Sequence, residues 1–116
     1  MSDQKAASAL TLDIERSDDM VVVRCHGRLV TGVTDVLYAG VSELIPGSKR
    51  IVLDLTDLSY MDSMGLGTVV RLYVSAKSAG CDLKLINFGQ RIRQLLGVTR
   101  LLSVLAAIEE YDVPIH

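Results

Sequence analysis

One short stretch of this sequence, residues 53–67, contains the side chains that could do chemistry. It has carboxylates at Asp54, Asp57 and Asp62, followed directly by Ser63. Carboxylates at this spacing could form a general acid–base pair or a Mg²⁺ site. A structural role is the simpler interpretation, because Asp57 is predicted in a loop and Asp62 precedes a helix, whose dipole favours acidic side chains. We favour the structural role, since most acidic side chains face solvent.

The catalytic motifs around Ser63 are incomplete. A serine nucleophile needs a base within reach, and the histidines are His26, at the end of an early strand, and His116, the last residue. The GxSxG pattern fails because position 61 is methionine. Residues 65–67 begin like a dinucleotide-binding loop, but valine stands at position 70, where a third glycine is required. Taken alone, Ser63 is read as a helix N-cap. The sequence therefore predicts no enzyme, no metal site and no bound cofactor.

The composition restricts the remaining classes of function. A chain of 116 residues fits one domain. Aromatic residues make up 4%, and the net charge is -2, so we expect no direct binding of nucleic acid. Cys25 and Cys81 form no CxxC pair and are predicted as buried, reduced thiols. No apolar run approaches the ~18 residues of a membrane span, and residues 1–10 lack the apolar core of a signal peptide. We therefore expect a cytoplasmic protein without membrane contact.

Hydrophobic periodicity divides the chain into strands and helices. Alternating or β-branched runs predict strands at residues 12–15, 20–25, 51–55, 83–86 and 101–105. Helical spacing predicts one helix from Thr34 to the stop at Pro46, one from near Ser63 to Ala79, and one around Ile92, Leu95 and Leu96 that Gly97 closes. Arg91, Arg93 and Arg100 could form an anion or partner patch, but a solvated helix face is the simpler interpretation.

This order of elements, β-β-α-β-α-β-α and a final strand, predicts an α/β fold. We expect one domain with a mixed sheet of four to five strands and amphipathic helices packed on it. Residues 1–10 are predicted to be a flexible N-terminal lead-in and residues 11–116 the domain. The tail from residue 106 is predicted as helix.

Within this order, residues 62–66 resemble the signature of the STAS domain family, in the branch of bacterial anti-sigma factor antagonists. The signature is a hydrophobic strand with an Asp, a loop, and then Asp-Ser-Ser/Ala-Gly-Leu at the start of the second helix; this chain has Asp-Ser-Met-Gly-Leu. Further similar segments are Gly-Arg-Leu at 27–29, Ala-Gly at 79–80, Leu-Ile-Asn at 85–87, and the run at 92–101. The resemblance extends from about residue 12 to residue 105.

The resemblance implies a phosphorylation-switched binding protein. In the family, the serine at the position of Ser63 is phosphorylated by an anti-sigma factor with GHKL-type serine kinase activity. The unmodified antagonist binds that anti-sigma factor, whose sigma factor is then released to regulate transcription. The phosphorylated form does not bind, and a metal-dependent PP2C-type phosphatase restores it. The partner-binding residues implied for this chain are Asp62, Ser63, Met64, Gly65, Leu66 and Val30.

Two positions depart from the family pattern. Met64 replaces the usual small residue after the serine, and Val30 stands where many members have Asp. Beside Ser63, Met64 would either add apolar contact with a partner or hinder a kinase. The alternative function is therefore a STAS scaffold or adaptor subunit of a stressosome-like or lipid-transport complex, without phosphoswitching. The sequence leaves a homodimer open and does not name the sigma factor.

Overall fold

The computed structural model describes residues 9–98, which form four strands and three helices. The strands are β1 (Leu10–Ser17), β2 (Met20–Leu29), β3 (Arg50–Met61) and β4 (Asp82–Ile86). The helices are α1 (Thr34–Ser42), α2 (Ser63–Ser78) and α3 (Gln90–Val98). Their order is the predicted one. The strand predicted at residues 101–105 and the helix predicted after it lie outside the described residues.

The strands form one mixed sheet in the order β1-β2-β3-β4. β1 is antiparallel to β2, and the turn between them holds Asp18 at a φ of 56°. β2 and β3 are parallel, as are β3 and β4, because α1 and α2 carry the chain back between them. The prediction of a mixed α/β sheet with helices packed on it is confirmed. Since β2 and β3 run in the same direction, their carboxyl ends meet at one edge of the sheet.

The main core lies between one face of the sheet and the helices. Alternate residues of β2 point into it, and all of residues 51–55 on β3 are buried, as expected of a central strand. The buried face of α2 consists of Gly65, Leu66, Thr68, Val69, Leu72 and Ala76. Val70 and Tyr73, which the spacing places on this face, are half-buried at its margin. The face is therefore centred nearer to Leu72, which the periodicity did not single out.

Both β2 and β3 run further than their apolar patterns predict. The patterns end before position 27 and at position 55, but the strands continue to Leu29 and Met61. The added length pairs these two residues, and pairs His26 with Asp57, across two register irregularities. Gly27 has a φ of 107° at this bulge, which other residues rarely adopt. The prediction of a loop at Asp57 is therefore wrong, because backbone pairing that apolar patterning does not report holds this residue in β3.

The second helix, α2, ends as predicted, with Ala79 as its C-cap, but α1 and α3 differ from the prediction. α1 stops at Ser42, and Leu44 and Ile45 are buried in the turn that follows. α3 includes Gly97, which the sequence places just after the helix; Gly97 lacks the positive φ that a glycine C′ residue commonly has. No helix within residues 9–98 is long and apolar enough to span a membrane.

The first turn of α2 crosses the end of β2 at close range because residue 65 is glycine. A Cβ on Gly65 would overlap the carbonyl oxygen of Leu29 and lie 2.8 Å from Leu29 Cγ and 3.0 Å from Met61 Cγ. A side chain here would force the helix away from the sheet. Gly65 therefore sets the position of the first turn of α2, which carries Ser63.

We expect Gly65→Ala to lower the free energy of unfolding by about 1–3 kcal/mol, because the added methyl group overpacks this contact. Gly67→Ala is the matched control on the same helix, where a Cβ meets nothing within 4 Å. It should raise stability by about 0.5–1 kcal/mol, since alanine favours the helix. Urea denaturation measures both values, and equal effects of the two substitutions would contradict the role of Gly65 in spacing.

Candidate functional site

The candidate site lies at the edge of the sheet where β2 and β3 end and α2 begins. The backbone N–H of Asp62 donates to the carbonyl oxygen of Leu29 at 3.2 Å. This bond joins the end of β2 to the residue that precedes α2. The motif at residues 62–66 therefore lies beside the loop that follows β2, at the carboxyl ends of parallel strands, where α/β proteins commonly bind their ligands.

Asp62, and not Ser63, caps α2. One carboxylate oxygen of Asp62, Oδ1, accepts from the backbone N–H of Gly65 at 2.8 Å. The other, Oδ2, accepts from the backbone N–H of Thr31 at 3.0 Å and from the Thr31 hydroxyl at 3.2 Å. The interpretation of Ser63 as the N-cap is therefore wrong. The carboxylate one residue earlier reaches the amide of the third helical residue, which is the bond that defines a cap.

These hydrogen bonds lower the pKa of Asp62 from its ordinary value. The largest cause is the bond from the backbone N–H of Thr31, followed by the bond from the backbone N–H of Gly65. Both bonds stabilise the charged carboxylate, and slight desolvation opposes them. A fixed negative charge therefore stands beside Ser63 at neutral pH.

Ser63 is the first residue of α2, and its side chain is exposed. Because Asp62 makes the cap, the Ser63 hydroxyl is not needed to satisfy the helix terminus. Ser63 also lines a cavity of about 480 Å³ between the start of α2 and α3. A hydroxyl in this position is accessible to another protein.

The opposite wall of this cavity is formed by α3. Described residues on that wall include Arg91, Gln94, Leu95 and Val98. The guanidinium of Arg91 lies 5.7 Å from the ring centroid of Tyr60, which is within cation–π range. The sequence predicts Arg91 only as part of a solvated helix face. Its side chain is exposed, but it also lines the same cavity as Ser63, and no local pattern can report that two residues so far apart in the chain line one cavity.

The other residues implied by the resemblance differ in exposure. Met64 is 57% exposed and projects from the first turn of α2. Val30 is half-buried and packs against the main core. Gly65 and Leu66 are buried. The structure thus brings all six residues to one region, but Gly65 and Leu66 lie beneath the surface that Ser63 and Met64 expose.

The remaining carboxylates of the motif have separate partners. Asp54 is buried, and its Oδ1 accepts from the Thr56 N–H at 3.0 Å, the Thr56 hydroxyl at 2.6 Å and Asn87 Nδ2 at 3.1 Å. Arg24 Nε lies 3.5 Å from its other oxygen. Desolvation acts to raise the pKa of Asp54, but the bonds from Thr56 and Asn87, with the charge of Arg24, lower it overall. Asp54 is thus a structural residue that fixes the end of β4 to β3.

His26 and Asp57 lie further along the same sheet and form a second polar group. His26 Nδ1 is 3.1 Å from Asp57 Oδ2, and His26 Nε2 is 2.9 Å from Asp13 Oδ2. These contacts join β1, β2 and β3. Within residues 9–98, no three acidic, histidine or cysteine side chains are placed to hold a metal ion.

The two cysteines are free and buried, as the sequence predicts. Burial, with a smaller contribution from the charge of Asp54, raises the pKa of the Cys25 thiol to about 12. Burial and the charge of Asp82 also raise the pKa of Cys81. Thiols in this state are poor nucleophiles, so neither cysteine belongs to the candidate site.

Most of the chain matches the model of one family. Residues 11–112 match the STAS domain, and the chain belongs to the STAS domain family. The predicted resemblance is therefore confirmed.

Similar curated proteins are named as anti-sigma factor antagonists. An anti-sigma-B factor antagonist from Bacillus subtilis (strain 168) is 28% identical over 96 residues, covering 83% of this chain and 88% of the relative. An anti-sigma F factor antagonist from Paenibacillus polymyxa is 26% identical over 98 residues, covering 83% of this chain and 84% of the relative.

Solved structures share the fold at lower identity. The unphosphorylated form of the anti-sigma factor antagonist SpoIIAA has a TM-score of 0.74 at 23% identity, covering 89% of this chain and 93% of that chain. The phosphorylated Bacillus SpoIIAA has a TM-score of 0.70 at 22% identity, covering 91% and 100%. A putative antagonist from Thermotoga maritima has a TM-score of 0.78 at 22% identity, covering 90% and 93%.

We expect Asp62→Ala to lower the free energy of unfolding by about 1–2 kcal/mol at pH 7, because it removes the cap of α2. Asp62→Asn is the comparison, since its amide oxygen can still accept from the Gly65 N–H and cap the helix, whereas its amide nitrogen cannot accept from Thr31. It should lose less stability than Asp62→Ala at pH 7. Urea denaturation at fixed pH measures both, and an unchanged Asp62→Ala variant would contradict the cap.

Comparison of the wild type with Asp62→Asn over a range of pH tests the charge of Asp62. Its pKa is lower in the folded chain than in the unfolded chain, so the charge stabilises the fold above the ordinary Asp pKa of about 3.9. This contribution is lost as the pH falls through the lower, folded-state pKa. Between about pH 5 and pH 3, the wild type should therefore lose more stability than Asp62→Asn. Parallel pH profiles would show that the charge of Asp62 is not stabilised by folding.

Proposed function

We propose that this protein is an anti-sigma factor antagonist whose binding to the anti-sigma factor is switched by phosphorylation of Ser63. The observation that carries the proposal is the exposed Ser63 hydroxyl at the first position of α2, in a STAS domain whose relatives are named anti-sigma factor antagonists. The similar fold of SpoIIAA, solved in unphosphorylated and phosphorylated forms, supports phosphorylation as the modification.

A phosphate on Ser63 is compatible with the fold. It adds about -1.5 to -2 charges at pH 7. The N–H groups and dipole of the first turn of α2 favour negative charge at this point. The hydroxyl is exposed, and Asp62 keeps the cap whether or not Ser63 is modified. The switch therefore acts on the surface and does not require unfolding.

The effect on a partner follows from the charge already present. The Asp62 carboxylate stands next to Ser63, so phosphorylation adds a second, larger negative charge to the same surface. A partner that covers this surface would have to desolvate both groups. Burying an unpaired charge at an interface costs about 2–5 kcal/mol. At 1.4 kcal/mol per tenfold, this is a loss of about 30-fold to several thousand-fold in affinity.

The catalytic activities in this proposal belong to the partners. The kinase is the anti-sigma factor itself, with a GHKL-type ATP site, and a PP2C-type phosphatase removes the phosphate. The chain is their substrate and acts in the cytoplasm. Release of the sigma factor follows when the unmodified chain occupies the anti-sigma factor.

A second candidate function is a scaffold or adaptor subunit without phosphoswitching. The observation that favours it is the 57% exposed Met64 beside Ser63, together with Val30 in place of an acidic residue. An exposed apolar side chain at this point suits a stable interface. The two functions differ in one measurable property, the dependence of binding on the state of Ser63.

We expect incubation with Mg-ATP and the cognate GHKL-type anti-sigma kinase to add one phosphate to the wild type and none to Ser63→Ala. Ser59→Ala is the matched control, because Ser59 is also exposed and lies four residues earlier, with its hydroxyl donating to the Gly27 carbonyl oxygen at 3.0 Å. It should accept one phosphate like the wild type. Each variant is incubated with each GHKL-type kinase of the source organism, and intact-mass spectrometry measures the number of phosphates added.

Binding of the same kinase completes the test. We expect a 1:1 complex with the wild type and with Ser63→Ala, and an affinity at least about 30-fold lower for Ser63→Asp, measured by calorimetry. If no kinase modifies the chain and Ser63→Asp binds its partner as tightly as the wild type, the switch is contradicted and the adaptor function is favoured.

Met64 should contribute to the interface in the unmodified state. We expect Met64→Ala to weaken binding to the anti-sigma factor by about tenfold, as removal of a moderately important apolar contact does. Val74→Ala is the control, because Val74 is 56% exposed on the same helix. It lies about 15 Å further along the axis and should leave the affinity unchanged. Equal losses for both variants would place the partner elsewhere on α2.

A further inference from the structure

Among residues 9–98, Arg91 is the basic side chain that lines the same cavity as Ser63. Both residues line the cavity of about 480 Å³ between the start of α2 and α3. The guanidinium of Arg91 lies 5.7 Å from the ring of Tyr60, which is three residues before Ser63 on the strand that leads to it. This contact holds a positive charge at the wall of the cavity.

The neighbouring arginine on α3 has different surroundings. The guanidinium of Arg93 lies 5.3 Å from the ring of Phe88, and Arg93 is not among the residues that line the cavity. Two arginines on the same helix therefore differ in their access to Ser63. Arg91 faces the cavity because of the way α3 packs, and a basic residue elsewhere on α3, such as Arg93, does not share this position.

Asp62, the residue before Ser63, does not form an ion pair with Arg91. Asp62 is held by Thr31 and Gly65 through both of its oxygens. Within residues 9–98, Arg91 forms no ion pair with a carboxylate. The guanidinium is thus available to an anion that enters the cavity.

We propose that Arg91 binds the phosphate carried by Ser63, joining the first residue of α2 to α3 across the cavity. The proposal rests on the proposed function for the origin of the phosphate. A guanidinium binds a phosphate through two parallel hydrogen bonds and remains charged at any physiological pH. The cavity is many times larger than the ~30 Å³ share of one water molecule, so a phosphate group has room to enter.

This contact gives phosphorylation a second effect on the surface. Arg91 turns from the Tyr60 ring to the phosphate, and α3 becomes linked to the start of α2. A partner then meets a changed charge at Ser63 and also loses access to Arg91 and to the apolar wall that α3 provides. Phosphorylation therefore alters both sides of the cavity at once.

The test uses the full chain with phosphoserine incorporated at position 63 by an expanded genetic code, so no kinase is required. The second pKa of a phosphoserine is ordinarily about 6, and ³¹P NMR titration measures it. We expect this pKa to be lower in the wild type than in Arg91→Gln by about half a unit, because the guanidinium stabilises the dianion. Arg93→Gln should match the wild type, and Arg91→Lys should give an intermediate value.

The design separates Arg91 from the other charges. Asp62 faces the same cavity and raises the phosphate pKa equally in every variant, so the difference between variants reports Arg91 alone. Equal pKa values for the wild type and Arg91→Gln would overturn the proposal, as would an equal shift in Arg93→Gln. Either result would overturn only the role of Arg91, because the kinase assay tests the proposed function separately. If no kinase modifies Ser63, the proposed function fails, but the NMR result for Arg91 remains valid.

Discussion

The carboxylate of Asp62 joins the loop after β2 to the first turn of α2, and the site depends on this one side chain. One of its oxygens satisfies a backbone N–H of the helix, and the other holds the backbone and hydroxyl of Thr31. The first N–H groups of a helix have no partners within the helix. Asp62 supplies one of these partners, and the Ser63 side chain lies exposed at the surface. Gly65 lacks a side chain, which allows the first turn of α2 to pack closely against Leu29.

The charge of Asp62 also explains why a modification here can act without refolding the chain. The negative charge favoured by the start of α2 is present before any phosphate arrives, and it is stabilised by fixed hydrogen bonds. A phosphate on Ser63 would therefore add negative charge at a point where the Asp62 carboxylate is already negative. Under the proposed function, the two states would differ on a small exposed surface, while the core beneath it, around Leu66 and Leu72, would be the same in both.

The order of elements, the mixed sheet and the location of the motif could be predicted from the sequence, because each depends on local periodicity or on a short run of residues. The errors have a common cause. The end of β3 depends on pairing with β2 beyond Gly27, and the identity of the cap depends on which of two adjacent polar residues reaches Gly65. The sequence does not predict that Arg91 lines the same cavity as Ser63, because this depends on how α3 packs. Residues that act through distant partners carry no local signal.

The surface around Ser63 is assembled from distant parts of the chain. Thr31 and Asp62 are 31 positions apart, and Arg91 reaches the same cavity from α3. Contacts of such separation require β2 to be paired with β3, and bringing these distant segments together costs conformational entropy. An unfolded chain contains Ser63 but lacks the surface that Thr31, Asp62 and Arg91 form around it in the folded protein. A protein that recognises this surface would therefore bind the folded chain and not an unfolded copy, whatever the state of Ser63.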